Sequence, residues 1–446
     1  VSIMLPNSIE FLIAYFGVIK SGATMVPLNI SFKALAVEYI LNNSEAKFLI
    51  TSKRFLKLVD KCDLEHLEKI ILVDEERVGE HLIIDDFSDM PETLPELENI
   101  DEEYAAACLY TSGTTGKPKG AILTHKNLTF DTNKTIEFLN VDDSDRYIVV
   151  LPMFHAFAET VCMLMPMFLG AEIVIIDKFL PEKVLQTIQE KNVTFFAGVP
   201  TMYTALLNVR NRDKYDLSHL NLCLSGGAAM PQQTMEDFEE TFNVKILEGN
   251  GPTETSPVAY CNPVDGVRKT GSVGIPIPET RVKIVDEEDN ELPRGEIGEI
   301  TVQGDHVMKG YFKMPEATAK TLRNGWLHTG DLGKMDEDGY IYIVDRKKDM
   351  INVGGMNVYP REIEEQLYKH PKIMEAAVVA TKDELRGEVP KAVIVLKEGE
   401  EADEREIKRY CMKYFANYKV PKLVDFLDEL PKNATGKIDK KSLRDI

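Results

Sequence analysis

Three stretches of the chain repeat one order: a short apolar strand, an amphipathic helix and a second apolar strand. The first is VSIMLPNSIEFLIAYFGVIKSGATMVPLN, in which Phe11, Tyr15 and Ile19 recur at helical spacing and Ser8 stands where an N-cap is expected. The same order returns in residues 171–200 and 220–251. Alternating strands and helices predict an α/β fold of helix-covered parallel sheets, in which nucleotide sites lie at the carboxyl ends of the strands.

The pattern changes in the second half of the chain. From about residue 270, short strands and turns such as RVKIVDEEDNELPRGEIGEITVQG are typical of a β-rich subdomain. After VDRKKD comes an α+β tail with helices predicted near residues 360–369 and 403–416. We therefore predict a large domain over residues 1–345, with its β-rich subdomain at about 270–345, and a small domain over residues 346–446.

Charge and cysteine content limit the classes of function. A net charge of −21 argues against a general nucleic-acid binder, whose affinity would come from cationic patches. The six cysteines are scattered without a C-x-x-C pair, which disfavours disulfides or zinc and predicts a reducing cytoplasm. The longest apolar run, VCMLMPMFLGA, is interrupted by Pro166 and Gly170 and is too short to span a bilayer. Peripheral membrane contact and the oligomeric state stay open.

A glycine-rich loop, LYTSGTTGKPKGAILTH at residues 109–125, follows an apolar strand. Such a loop can offer backbone N–H groups to phosphate oxygens, while hydroxyls and lysines complete the cradle. The P-loop spacing fails, because Thr111 stands where that motif needs glycine and Pro118 where it needs serine or threonine. The loop alone leaves open a flexible surface turn, and it disfavours a P-loop enzyme.

The loop resembles the signature of the adenylate-forming superfamily, which comprises acyl-CoA synthetases, luciferases and the adenylation domains of peptide synthetases. Three more of that family's motifs follow in its order, and together they cover essentially the whole chain: GPTETSP (251–257), GWLHTGDLGKMDEDGYIYIVDRKKDMINVGGMNVYPREIEE (325–365) and PKNATGKI (431–438). LPMFHAFAETVCMLMPMFLGA and GVPTMYTALLN are most similar to medium- and long-chain fatty acyl-CoA synthetases. The resemblance implies ATP- and Mg²⁺-dependent activation of a fatty acid to an acyl-adenylate, then transfer to coenzyme A.

The resemblance also implies where the nucleotide binds. The β- and γ-phosphates are assigned to the loop, and the choice between Lys117 and Lys119 stays open. The loop residues assigned are Thr111, Ser112, Gly113, Thr114, Thr115, Gly116, Lys117 and Lys119. Thr253 is matched to an α-phosphate contact and Glu254 to the Mg²⁺ ligand. The adenine wall is assigned to Gly227, Ala228, Ala229, Asn250 and Gly251, and the ribose contacts to Asp331 and Arg346. Without the motifs, a Thr-Glu pair would be interpreted as a helix cap, and the acid and the arginine as surface ion-pair partners.

Residues near the reacting carboxylate follow from the same resemblance. Lys437 in NATGK matches a lysine that bridges the substrate carboxylate and the α-phosphate, and His155 matches a position beside that carboxylate. The small domain is expected to rotate about Lys348, so that the hairpin holding Gly354 and Gly355 lines the thiol channel in a second pose. The alternatives are a solvated lysine, a structural histidine and an ordinary hairpin turn. Phe157 and residues 195–203 are expected to wall the acyl pocket.

Two departures from the family pattern weaken the implied function. Asn250 replaces an aromatic residue that stacks on adenine, and relatives carry a few dozen residues before the stretch that matches VSIMLPNSIEF, so a short form or a fragment is expected. Two other functions therefore stay open: a stand-alone adenylating enzyme that loads a carrier protein, and a homologue that binds nucleotide or acyl groups without turnover. Acyl chain length cannot be inferred from the sequence.

Overall fold

The computed structural model describes residues 1–88, 101–111, 118–433 and 436–444. Part of the predicted phosphate loop lies outside the described residues: Ser112, Gly113, Thr114, Thr115, Gly116 and Lys117. The site predictions at the other positions fall on described residues and can be compared with the geometry.

The first parallel sheet is built by the N-terminal part of the chain, with its strands in the order Val26–Pro27, Ser2–Met4, Phe48–Thr51, Lys69–Leu72 and Leu82–Ile83. Its helices are Ile9–Lys20, Ala34–Asn43 and Lys53–Val59, and a 3₁₀ turn covers Ile84–Phe87. The Ser8 side chain caps the first helix by accepting the Phe11 N–H at 3.2 Å. Phe11 and Tyr15 are fully buried on one face, so the predicted strand–helix–strand order is confirmed.

The second sheet carries the other two predicted repeats and is parallel through five consecutive strands: Ile246–Asn250, Leu222–Ser225, Phe195–Gly198, Arg146–Val149 and Glu172–Ile175. Two antiparallel strands, Tyr260–Cys261 and Ile275–Pro276, extend it beyond Ile246–Asn250. The accompanying helices and turns are His125–Leu139, Ala156–Ala158, the π-helical turn Glu159–Leu164, Met165–Leu169, Pro181–Lys191, Pro200–Leu207, Arg212–Lys214 and Gln232–Phe242. The parallel strands end together at one edge, as predicted for a nucleotide site.

Antiparallel sheets complete the large domain. Ala105–Thr111, Lys119–Thr124 and Gly310–Tyr311 pair in one sheet, so the predicted phosphate loop joins two neighbouring strands. In the predicted β-rich region the paired strands are Arg281–Val285, Gly298–Gln303, Leu322–Arg323, Trp326–Met335 and Ile341–Arg346, with helix Pro315–Thr321 beside them. The strand-rich interpretation of this region is confirmed.

The C-terminal part of the chain has its own cores, formed by buried side chains between Ile351 and Leu443. Its sheet contains Ile351–Val353, Met356–Val358, Ile373–Asp383, Gly387–Leu396 and Leu423–Phe426, and its helices are Pro360–Tyr368, Glu404–Met412 and Lys440–Arg444. The helix predicted near 403–416 ends at Met412, because Lys413 and Tyr414 instead donate to carbonyls three residues back. The exact division into 1–345 and 346–446 stays a prediction.

Helices in the described part of the chain are all too short or too polar to cross a membrane. The broken helix around VCMLMPMFLGA belongs to the core instead: Met163 and Met165 are fully buried, whereas Met167 is 48% exposed.

Candidate active site

A cleft of about 1810 Å³ separates the strand ends of the large domain from the small domain. Its walls come from the turns after the second sheet's parallel strands, from the β-rich region and from the last residues of the chain. Residues predicted from four separate motifs therefore line one cavity, among them His155, Glu254, Asp331, Arg346 and Lys437.

Lys437 enters this cleft from the small domain. A Cβ built on Gly227 would lie 2.6 Å from its Cε and 2.9 Å from its Nζ, so the lysine tip rests on the glycine backbone of the predicted adenine wall. The Thr201 hydroxyl donates to the Gly436 carbonyl at 2.6 Å and ties the preceding residue to the large domain. Burial, and then the positive charge of Arg346, lower the pKa of Lys437 to about 8, although Asp331 opposes the shift.

Asp331 and Arg346 are direct partners on the neighbouring strands Trp326–Met335 and Ile341–Arg346. Arg346 Nε lies 2.9 Å from Asp331 Oδ1, with the carboxylate buried and the arginine half exposed to the cleft. Burial raises the pKa of Asp331, and Arg346 opposes that shift. The pair therefore places a carboxylate oxygen and a guanidinium side by side, which suits the two hydroxyls of a ribose.

Thr253 and Glu254 form a 3₁₀ turn, Thr253–Thr255, directly after the glycine turn at Gly251. The Tyr311 hydroxyl donates to Glu254 Oε1 at 2.6 Å, and Lys119 Nζ lies 4.9 Å from the centre of the Tyr311 ring. The carboxylate is therefore oriented beside the base of the phosphate loop. One oriented carboxylate fits Mg²⁺, which proteins commonly hold through one or two carboxylates plus substrate phosphates. Clusters of three or more ligating side chains do not occur among the described residues.

His155 caps a short helix, with its Nδ1 accepting the Phe157 N–H at 3.2 Å. Burial, together with the charge of Lys437, lowers its pKa to about 3. A neutral ring with Nδ1 as acceptor carries its proton on Nε2, so His155 can donate a hydrogen bond near the lysine.

The predicted acyl wall divides into two parts. Phe157 lies against Gly226, whose built Cβ would be 3.0 Å from the ring, and Val199 and Thr201 line the cleft. The earlier part of 195–203 does not reach it: Phe195 and Phe196 are buried in the core, where their rings pack on tyrosines.

The predicted adenine wall is made of close backbone approaches. Ala228, Ala229 and Asn250 line the cleft, and Asn250 ends a sheet strand. A Cβ on Gly251 would lie 2.0 Å from the Pro257 carbonyl oxygen, so no larger residue fits without a backbone shift. Asn250 carries no aromatic ring, so its own side chain cannot supply the surface that stacks on adenine in the family pattern.

The hairpin at Gly354 and Gly355 lies elsewhere. Both glycines have positive φ, at +58° and +89°, and Asn352 Oδ1 accepts the Gly355 N–H at 2.7 Å. Neither glycine is among the described residues that line the cleft. The structure thus shows the arrangement with Lys437 inside, and the role of the hairpin in a second pose stays a prediction.

The sequence did not indicate Tyr311 as the Glu254 donor, the pair Glu248 and Arg361, or the tether at Thr201, a residue predicted only as part of the acyl wall. Glu248 is 1% exposed and accepts the Met230 N–H at 3.1 Å, and burial raises its pKa to about 7. A charged residue inside the apolar strand KILEGN was a signal that could have found Glu248. The other three depend on contacts between distant segments.

Comparisons with known proteins agree with this geometry. The model of the AMP-binding enzyme family matches residues 1–312, and that of the AMP-binding enzyme C-terminal domain matches residues 362–437. The long-chain-fatty-acid–CoA ligase of Bacillus subtilis (strain 168) is 38% identical over 99% of this chain and 84% of its own length.

Two solved structures superpose with a TM-score of 0.92 over 100% of the chain. One is the anthranilate CoA ligase AuaEII in complex with anthranoyl-AMP, at 33% identity and 87% of its length. The other is ATP-bound MatB from Rhodopseudomonas palustris, at 32% identity and 88% of its length. The resemblance to adenylate-forming enzymes and the predicted α/β fold with a large N-terminal and a small C-terminal domain are confirmed.

Proposed function

We propose that this chain, which belongs to the AMP-binding enzyme family, uses ATP to convert a fatty acid to an acyl-adenylate and then transfers the acyl group to coenzyme A. The products would be acyl-CoA, AMP and diphosphate. The observation that carries the proposal is the Lys437 ammonium resting on Gly227, in the same cleft as Glu254 and the Asp331–Arg346 pair.

The first half-reaction brings two anions together. A carboxylate is a poor acyl donor because hydroxide is a poor leaving group. In the first step, the carboxylate oxygen therefore attacks the α-phosphate of ATP and expels diphosphate. Lys437 would neutralise both partners, and positioned charge of this kind supplies most of the rate enhancement in such reactions. Glu254 would hold Mg²⁺, which when bound offsets the charge of the phosphates. Thr253 would contact the α-phosphate, and His155 Nε2–H would donate to the substrate carboxylate.

The nucleotide would be held by the remaining predicted residues. Asp331 would accept both ribose hydroxyl protons, with Arg346 beside it, and the backbone at Gly227–Ala229 would face the adenine. Thr111 and Lys119 flank the loop to which the resemblance assigns the terminal phosphates. Lys119, at one end of that loop, lies beside the Tyr311 ring whose hydroxyl donates to Glu254, which supports one continuous phosphate path.

In the second half-reaction the coenzyme A thiol would attack the acyl carbonyl, form the thioester, and release AMP and a proton. We propose that rotation about Lys348 withdraws Lys437 and brings Gly354 and Gly355 to the cleft, so that one site serves both steps. The six free cysteines support a reducing, cytoplasmic setting. The relative named a long-chain-fatty-acid–CoA ligase supports a fatty acid as substrate.

The direct experiment is exchange of labelled diphosphate into ATP by the purified chain, with Mg²⁺ and a series of saturated acids from butyrate to stearate. We expect exchange that depends on the acid and is strongest with the longer chains. Comparing coenzyme A with an acyl carrier protein as acceptor separates the proposed ligase from a carrier-loading enzyme. Nucleotide binding without any exchange would instead support a non-catalytic homologue.

A further inference from the structure

Glu248 is a buried carboxylate whose cationic partner belongs to the other domain. It lies on strand Ile246–Asn250 of the second sheet, and Arg361 on helix Pro360–Tyr368 of the small domain brings Nη2 to 3.9 Å from its Oε1. The two side chains are only 2% and 13% exposed. Since solvent screens such a pair weakly, the attraction between the two charges is stronger than in a surface ion pair at the same distance.

Arg361 connects the small domain to the large one at more than one point. Its Nη1 donates to the Ile343 carbonyl at 2.7 Å, and its backbone N–H donates to Asp345 Oδ2 at 3.0 Å. Both partners precede the predicted hinge at Lys348, whereas Arg361 follows it. A rotation of the small domain about that hinge would therefore move Arg361 relative to Glu248.

Glu248 also contacts the nucleotide side of the cleft. Its Oε1 accepts the N–H of Met230, which directly follows the predicted adenine wall at Ala228 and Ala229, and both Glu248 and Arg361 line the cleft. Its second oxygen, Oε2, is fully buried and makes no hydrogen bond among the described residues. The Arg361 guanidinium stabilises the charged form of this carboxylate against the burial that raises its pKa, so losing that partner favours the neutral acid.

From these contacts we propose that Glu248 is a positioning residue for the first half-reaction. Through Arg361 it holds the small domain in the pose that keeps Lys437 in the cleft. The inference rests on the proposed two-step function and adds to it a contact that favours one of its two poses. The Met230 N–H needs only an acceptor at this strand position, whereas a charge there lets the pairing with Arg361 distinguish the two poses.

The test compares the two half-reactions in Glu248→Gln, which keeps the side chain's shape and an acceptor for Met230 but removes the charge. Diphosphate exchange reports the first step, and transfer from supplied acyl-adenylate to coenzyme A reports the second. We expect exchange to fall about tenfold, the usual size of coupling between sites, while transfer stays equal to wild type or rises. Arg361→Lys, which loses the planar guanidinium fork, should shift each of the two rates in the direction expected for Glu248→Gln. It replaces Glu248→Gln in the test if that variant does not fold.

A matched control is Glu398→Gln, which removes a carboxylate from another pair between the two domains. Arg210 Nη2 lies 3.7 Å from Glu398 Oε1, but these side chains are 87% and 92% exposed, so neither rate should change. When Glu248→Gln is combined with Arg361→Gln, the double variant should lose no more diphosphate exchange than Arg361→Gln alone. Equal losses in both half-reactions, unchanged exchange, or additive losses would overturn the positioning role. A wild-type chain inactive in both steps would instead refute the proposed function.

Discussion

Replacing Gly227 by alanine tests the position of Lys437 with the addition of one methyl group. That methyl would occupy a point 2.6 Å from Lys437 Cε and 2.9 Å from Nζ, whereas ordinary carbon contacts lie at about 3.5–4.0 Å. The lysine tip must therefore withdraw by roughly 1 Å, judged against that contact distance. Gly227 also has φ of +77°, a left-handed conformation that costs an alanine about 1–2 kcal/mol.

Two effects of different size follow from these numbers. The backbone strain lowers the stability of the folded state but is common to every pose of the small domain. A displacement of about 1 Å at a reacting group can cost on the order of 100-fold in rate, or about 2.7 kcal/mol. We therefore expect Gly227→Ala to reduce diphosphate exchange about 100-fold and to leave transfer from supplied acyl-adenylate nearly unchanged.

The matched control is Gly339→Ala. Gly339 has φ of +88°, and a built Cβ there meets nothing within 4 Å, so the variant has the strain without the collision. Both variants should lose a similar amount of thermal stability, while only Gly227→Ala should lose diphosphate exchange. ATP binding to both variants is measured by calorimetry. Full exchange in Gly227→Ala, or an equal loss in Gly339→Ala, would refute the contact between Gly227 and the lysine as a determinant of the first step.

Three further outcomes are expected. Since burial and Arg346 lower the pKa of Lys437 to about 8, its charge is present below that pH and lost above it. Diphosphate exchange should therefore fall as the pH rises through about 8. Lys437→Arg should abolish this fall, and an unchanged fall in that variant would contradict the assignment. Lys348→Pro, which fixes φ at the predicted hinge, should stall thioester formation but permit exchange, and normal thioester formation would exclude the hinge. Asn250→Tyr should tighten ATP binding about tenfold in calorimetry through stacking on adenine, with Asn250→Leu as control and no gain as the contrary result.

Local pattern was sufficient for much of the fold. The helical spacing of Phe11 and Tyr15 and the Ser8 cap are properties of neighbouring residues, and the structure agrees with each. The end of helix Glu404–Met412 was less well predicted, because the identities of Lys413 and Tyr414 do not indicate the tighter turns that these residues form. Exposure of Met167 beside buried Met165 likewise depends on how the helix packs.

The site was predicted as residue identities rather than as contacts. Asp331 and Arg346 came from one motif, and the register of two strands makes them partners. The Tyr311–Glu254 and Glu248–Arg361 contacts join segments 57 and 113 residues apart, and no local pattern encodes such distances. Whether Lys437 lies in the cleft depends on the pose of a whole domain, which a motif cannot specify.

In the proposed first step, the Lys437 ammonium lets a carboxylate and a triphosphate react. The most direct measurement compares wild type and Lys437→Ala in both half-reactions, using ATP, Mg²⁺ and a long-chain fatty acid for diphosphate exchange and preformed acyl-adenylate with coenzyme A for transfer. We expect the variant to lose exchange almost completely and still to form the thioester from the supplied intermediate. Exchange that survives the loss of Lys437, or a parallel loss of both steps, would contradict it.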